Sequence, residues 1–176
     1  MAELIGERGG IRYRLQIKAK SRTCFSEPQR FEYSLWADTS CLLAGQTEIH
    51  ELYGLLQLQQ VGELFQRISY LRDKKAPFML GADGQCNAPY ENLCLLAETD
   101  FLHIVLWHQA SGYCAYVHLN RPGAPPIGDT DDRLCVCFCV SEEDAVSFGN
   151  GLVVEASLAE AVQESLETLH VVALRC

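Results

Sequence analysis

Apolar and polar positions alternate with period two along much of this chain, most clearly from Phe101 to Leu119, FLHIVLWHQASGYCAYVHL. Two apolar runs flank Gln109-Ala110-Ser111-Gly112, a polar spacer ending in glycine, and this pattern predicts a β-hairpin. With that spacer as the loop, Leu102, Ile104, Leu106 and His108 lie opposite Leu119, Val117, Ala115 and Tyr113. That face is almost wholly apolar and belongs on a core, because strand side chains point alternately to opposite faces. The other face pairs Phe101 with Asn120, His103 with His118, Val105 with Tyr116 and Trp107 with Cys114. This mixed aromatic and polar surface is the first place to look for function. A two-residue turn at Ser111-Gly112 would instead separate the two histidines.

The same reading predicts strands at Ile11–Lys20, whose outer face is almost entirely basic, at Arg30–Trp36, and a short one at Ser40–Ala44. Thr47 is the expected N-cap of a turn or two of helix through Ile49, Leu52 and Tyr53, while Leu55 to Leu58 fits helix or strand. Val61, Leu64, Phe65, Ile68 and Leu71 recur at three- and four-residue steps and predict one amphipathic helix over Val61–Arg72, ended before Pro77. Phe78-Met79-Leu80 is a short apolar run, Gln85–Tyr90 reads as loop, and Leu93–Ala97 reads as a strand turned at Glu98-Thr99-Asp100 into the hairpin. After Asn120, RPGAPPIGDTDDR is too rich in proline to pair centrally and predicts a surface loop of about a dozen residues, a length often functional. Leu134–Val140, LCVCFCV, predicts a strand with its cysteines on one face. SEEDAVSFGNG then reads as an acidic linker, Ser157 and Glu160 as the capping box of a helix to about Thr168, and His170–Leu174 as a closing strand.

These elements describe an α+β fold: an antiparallel β-sheet meander packed against two or three helices, with an extra N-terminal β-hairpin. A chain of 176 residues suits a single domain, with residues 1–55 as a strand extension of a core over 56–176. No apolar run approaches the roughly 18 residues of a membrane span, and MAELIGERGG lacks the basic-then-apolar order of a signal peptide, so a cytoplasmic location is expected. Nine cysteines, at 24, 41, 86, 94, 114, 135, 137, 139 and 176, form an odd set with no CxxC and are expected as free thiols.

Charge changes the picture more than the thiols do. Residues 1–75 carry 11 Lys+Arg against 9 Asp+Glu, whereas residues 76–176 carry 3 against 14, so the net charge of -9 comes from the C-terminal part. Such a field repels nucleic acid and attracts a basic protein, although plain solubility is the ordinary alternative.

Several side-chain sets invite chemistry. Cys135, Cys137 and Cys139 share a strand face, but same-face neighbours stand about 6.5 to 7 Å apart and zinc thiolates must each come within about 2.3 Å of one ion. His103 and His118 pair better, yet two ligands do not make a site, so no metal and no cofactor is expected. A Cys/His nucleophile could be assembled from many combinations and is therefore weakly specified. GxSxG is absent, and GERGG precedes a strand where a phosphate loop would precede a helix. A non-enzymatic protein is expected. Trp107 and Tyr116 are of the types that anchor protein interfaces, and equally of the types that fill cores.

From about Leu56 the chain runs LQLQQVGELFQRI, FMLGADG, LCLLAE, FLHIVLW, GYCAYVHL, a loop, LCVCFCV, then VSFGNGLVVEASLAEAVQESLETL and a last strand. This order resembles the first-described family of polymorphic-toxin immunity proteins, most of all in Val146 to Leu169, which is similar to that family's aromatic-turn-valine entry into a capped terminal helix. The resemblance implies a cytosolic protein that binds and blocks a cognate secreted toxin, often one acting on nucleic acid. It implies no catalytic residue, membrane contact or direct nucleic-acid contact. The candidate contacts with a basic toxin are Asp129, Asp131, Asp132, Glu142, Glu143 and Asp144, with Trp107, Tyr116 and His103 on the hairpin. An adaptor or complex subunit with an acidic binding face is the alternative, and a thiol- or metal-dependent enzyme the third reading.

Overall fold

The hairpin forms with the expected pairing. In the computed structural model, which describes residues 1–20, 28–49, 52–74, 78–80, 92–99, 101–121 and 133–173, His103 lies opposite His118 and Trp107 opposite Cys114. Gln109 and Gly112 pair as well, so the connection is a two-residue turn at Ala110-Ser111, and Gly112 takes φ 135° where a side chain would be strained.

In chain order the elements are β1 (Ala2–Arg8), β2 (Ile11–Ala19), β3 (Gln29–Ala37), β4 (Ser40–Ile49), α1 (Leu52–Gln66), α2 (Ile68–Lys74), β5 (Phe78–Leu80), β6 (Leu93–Glu98), β7 (Leu102–Gln109), β8 (Gly112–Asn120), β9 (Arg133–Val140) and α3 (Glu142–Ala173). The strands form one sheet in the order β4-β3-β2-β1-β9-β8-β7-β6-β5, antiparallel throughout except for β5 beside β6. Two consecutive four-strand meanders, β1–β4 and β6–β9, thus lie side by side, each followed in sequence by a helix.

β1 was not foreseen. Leu4 and Ile5 are adjacent and Gly6 follows, so alternation is blurred, yet the strand buries Ala2 and Leu4 completely. Gly9 and Gly10, both at positive φ, close the tight turn into β2. Where β1 meets β9, at the pair Glu7 and Cys139, Gly6 leaves room for the carbonyl of Cys139 and the ring of Phe138. Tyr13, opposite Gly6, stacks on Phe138 with ring centroids 5.4 Å apart and planes 5° apart, covering the glycine.

The helices lie on one face of the sheet. Rows such as Leu4, Leu15 and Leu35 in the first meander, and Leu106, Ala115 and Phe138 in the second, join Leu58, Phe65, Ile68, Phe148 and Leu152 in a continuous core. A smaller cluster of Leu93, Leu96 and Val105, with Trp107 against it, sits on the opposite face at the β6–β7 margin.

Five local expectations are corrected. Thr47 does not cap a helix; it lies in β4 opposite Phe31, because the alternation of β4 continues to buried Ile49. The helix over Val61–Arg72 is instead two, α1 beginning at Leu52 and α2 separated from it at Arg67. The acidic linker is the start of α3: Ser141 Oγ accepts from the Asp144 amide at 3.0 Å and donates to its carboxylate at 2.5 Å. Glu142, Glu143 and Asp144 then occupy the first turn, where anionic groups favour the helix dipole. Ser157 consequently stands inside the helix, and the segment expected as a last strand continues it to Ala173. Farther along, buried Glu155 receives the amide of Ala19 at 2.6 Å and the amino group of Met1, tying α3 to the start of β1 and the end of β2.

Candidate protein-binding face

Three rungs cross β7, β8 and β9 on the face away from the helices. They are His103–His118–Cys135, Val105–Tyr116–Cys137 and Trp107–Cys114–Cys139. None of these nine positions carries a carboxylate, ammonium or guanidinium group. Tyr116, at the centre, is 40% exposed; Cys135 and Cys139 are exposed, and Trp107, His103, His118 and Cys137 are half-buried.

The neighbouring half of the same face is built differently. There Glu3, Arg12, Arg14, Lys18 and Glu32 project, with ion pairs from Lys20 to Glu32 at 2.7 Å and from Arg30 to Glu48 at 2.8 Å. Arg14 lies over the Trp36 ring, 5.5 Å from its centroid, beside a shallow depression bordered by Arg12 and Asp38.

Environment keeps part of the uncharged patch neutral. Burial, followed by the positive charge of Arg133, lowers the His103 pKa below 6.5. Burial first, then the hydrogen bond with Cys137, pushes the Cys114 thiol up to about 12. Burial raises Cys135 as well, so although its Sγ lies 3.5 Å from His118 Nε2, it is held as a thiol, the reverse of an activated nucleophile. The His103 and His118 rings stack at 4.9 Å. Among the described residues no group of three or more His, Cys, Asp or Glu could hold a metal ion.

The His103 shift has a measurable consequence. A histidine whose folded pKa lies below its unfolded value resists protonation in the native state, so stability is lost as pH falls from about 6.5 through the folded pKa. The melting temperature should therefore fall over this window, and His103→Gln should flatten that part of the profile in a thermal-melt series.

The acidic candidates are placed apart from the patch. Glu142 accepts from Ser69 Oγ at 2.5 Å, Arg72 at 2.9 Å and the Tyr113 hydroxyl at 3.3 Å, joining α2, α3 and β8 at the hairpin-turn end of the sheet. The hydrogen bond from Ser69, before other contributions, holds its pKa below the usual 4.5. Asp144 serves the helix cap and Glu143 is exposed beside it. Asp129, Asp131 and Asp132 lie outside the described residues. The structure thus brings His103, Trp107 and Tyr116 onto one face and puts Glu142, Glu143 and Asp144 on the helix side. The cysteines of β9 belong with the hairpin residues, a grouping not expected from sequence because the long loop after Asn120 leaves the register of that strand against β8 unspecified.

Among the described residues no helix is long and apolar enough to cross a membrane. No protein-family model matches the chain, and no curated protein matches it significantly.

Proposed function

We propose that this chain is a non-enzymatic binding protein that receives a partner protein on the β7–β9 face, and that the partner is the cognate basic toxin of an immunity pair. The observation that carries the reading is the nine-position uncharged grid around exposed Tyr116, set beside a half-sheet of ordinary charged residues. A solvated strand face is normally dressed with long charged side chains, whereas interface centres lose them and gain aromatics. Tyr116 and Trp107 are the anchors, and the -9 net charge steers a cationic protein toward the molecule without supplying most of the affinity. Inhibition then follows from covering the toxin's active site.

Co-expression with the product of the adjacent reading frame tests this. Restored growth and co-purification of the two chains are expected. A neighbour that is harmless, or that forms no complex, contradicts the toxin reading; a stable complex with a harmless neighbour supports the adaptor alternative, which would use the same face.

A further inference from the structure

The closest approach of two thiols among the described residues is on this face. Cys114 Sγ and Cys137 Sγ are 3.1 Å apart across β8 and β9, inside ordinary sulfur–sulfur contact. We propose that Cys114 and Cys137 form a modification site, a dithiol that closes to a reversible disulfide on meeting a small-molecule disulfide of the glutathione class.

The two cysteines have different roles in that exchange. Cys137 is half-buried and reachable, whereas Cys114 is 7% exposed. The Cys137 thiolate attacks one sulfur of the small disulfide, forming a mixed disulfide and expelling one small thiolate. Cys114, its proton lost to solvent, attacks the Cys137 sulfur and expels the second. Two protein thiols are oxidised by two electrons, and one small disulfide is reduced to two thiols. The raised pKa of Cys114 leaves little thiolate for this second step, a deficit offset by the 3.1 Å approach of its sulfur to Cys137, which makes the attack intramolecular.

The remaining thiols of the strand are turned to other partners, Cys139 although it is opposite Cys114 in register. Cys135 contacts the His118 imidazole and Cys139 the Gln109 amide, at 3.5 and 3.8 Å, so each stops at a mixed disulfide. Register also sets the character of the bond. Cys114 is opposite Cys139, and Cys137 opposite Tyr116, making the reacting pair diagonal. Diagonal Cα atoms in antiparallel pairs stand about 7–8 Å apart, beyond the roughly 4.4–6.8 Å usual for disulfides. The closed form is therefore strained and readily reduced.

The test is incubation of the reduced full chain with oxidised glutathione, alkylation of remaining thiols, and peptide mass mapping. A linked pair of peptides containing Cys114 and Cys137, two hydrogens lighter than the thiols and reopened by dithiothreitol, is expected. Cys135→Ser and Cys139→Ser should retain the link. Cys137→Ser, a change at a half-buried position, should abolish it, and Cys114→Ser should leave glutathione on Cys137. Failure of Cys114 and Cys137 to link in the wild-type chain, with both unreacted, separately glutathionylated or joined to other cysteines, would overturn the proposal.

Discussion

Gly149→Val is expected to destabilise the protein by about 3 kcal/mol or more, an overpacking penalty at the upper end of the common range. Even Gly149→Ala should be harmful. In an exposed helix interior that change gains about 1 kcal/mol of helix propensity. Here a Cβ on Gly149 would lie 2.6 Å from the Gly62 carbonyl oxygen, 2.7 Å from Phe65 Cβ and 2.9 Å from the Gln66 amide nitrogen. Two of these are backbone atoms of α1 and cannot rotate away. The reverse contact is equally tight, since a Cβ on Gly62 would approach the Gly149 carbonyl oxygen to 2.8 Å. The glycines thus let α1 and α3 touch backbone to backbone, with Phe65 and Phe148 packed edge to face beside them at 5.1 Å. Urea unfolding should show a lower midpoint for both variants. A more stable Gly149→Ala protein would mean that the two helices do not meet here.

Phe138→Ala should cost about 3–5 kcal/mol, the range for removing a large aromatic from a packed core. Phe138 is fully buried, stacks on Tyr13 across Gly6, and stands where the two meanders join. Its loss removes apolar packing on both sides of the β1–β9 seam. Phe138→Leu, which keeps part of the volume, should fall between wild type and alanine in the same experiment. A loss below about 1 kcal/mol for alanine would place the ring at a surface instead.

These positions also show what the chain made legible. The β7–β8 register was readable because strict alternation around a short polar spacer admits few pairings, and the buried face follows from it. The α+β class followed from the same pattern. α3 was misread at Gly149 and Gly151, since glycine ordinarily weakens a helix. Their purpose is contact with Gly62 on α1 and with Ala2 on β1, partners far away in sequence. The cap at Ser141 could have been found from Ser141-Glu142-Glu143-Asp144, an acidic first turn of the kind that starts helices. The junction of β1 with β9, and the parallel addition of β5, rest on long-range pairing that no local window specifies. The uncharged grid was half visible: Trp107, Tyr116 and the histidines came from the hairpin, while its thiol row needed the position of β9.

Docking of a protein partner on that grid is tested by titrating the Tyr116→Ala variant against the co-purified neighbour. Tyr116 is 40% exposed, so its truncation should leave the melting temperature nearly unchanged. As the interface anchor it should lower affinity by about 30-fold or more, equivalent to about 2 kcal/mol or more. Leu158→Ala, altering an exposed leucine on α3, should bind as wild type does. Wild-type affinity for Tyr116→Ala would contradict the account.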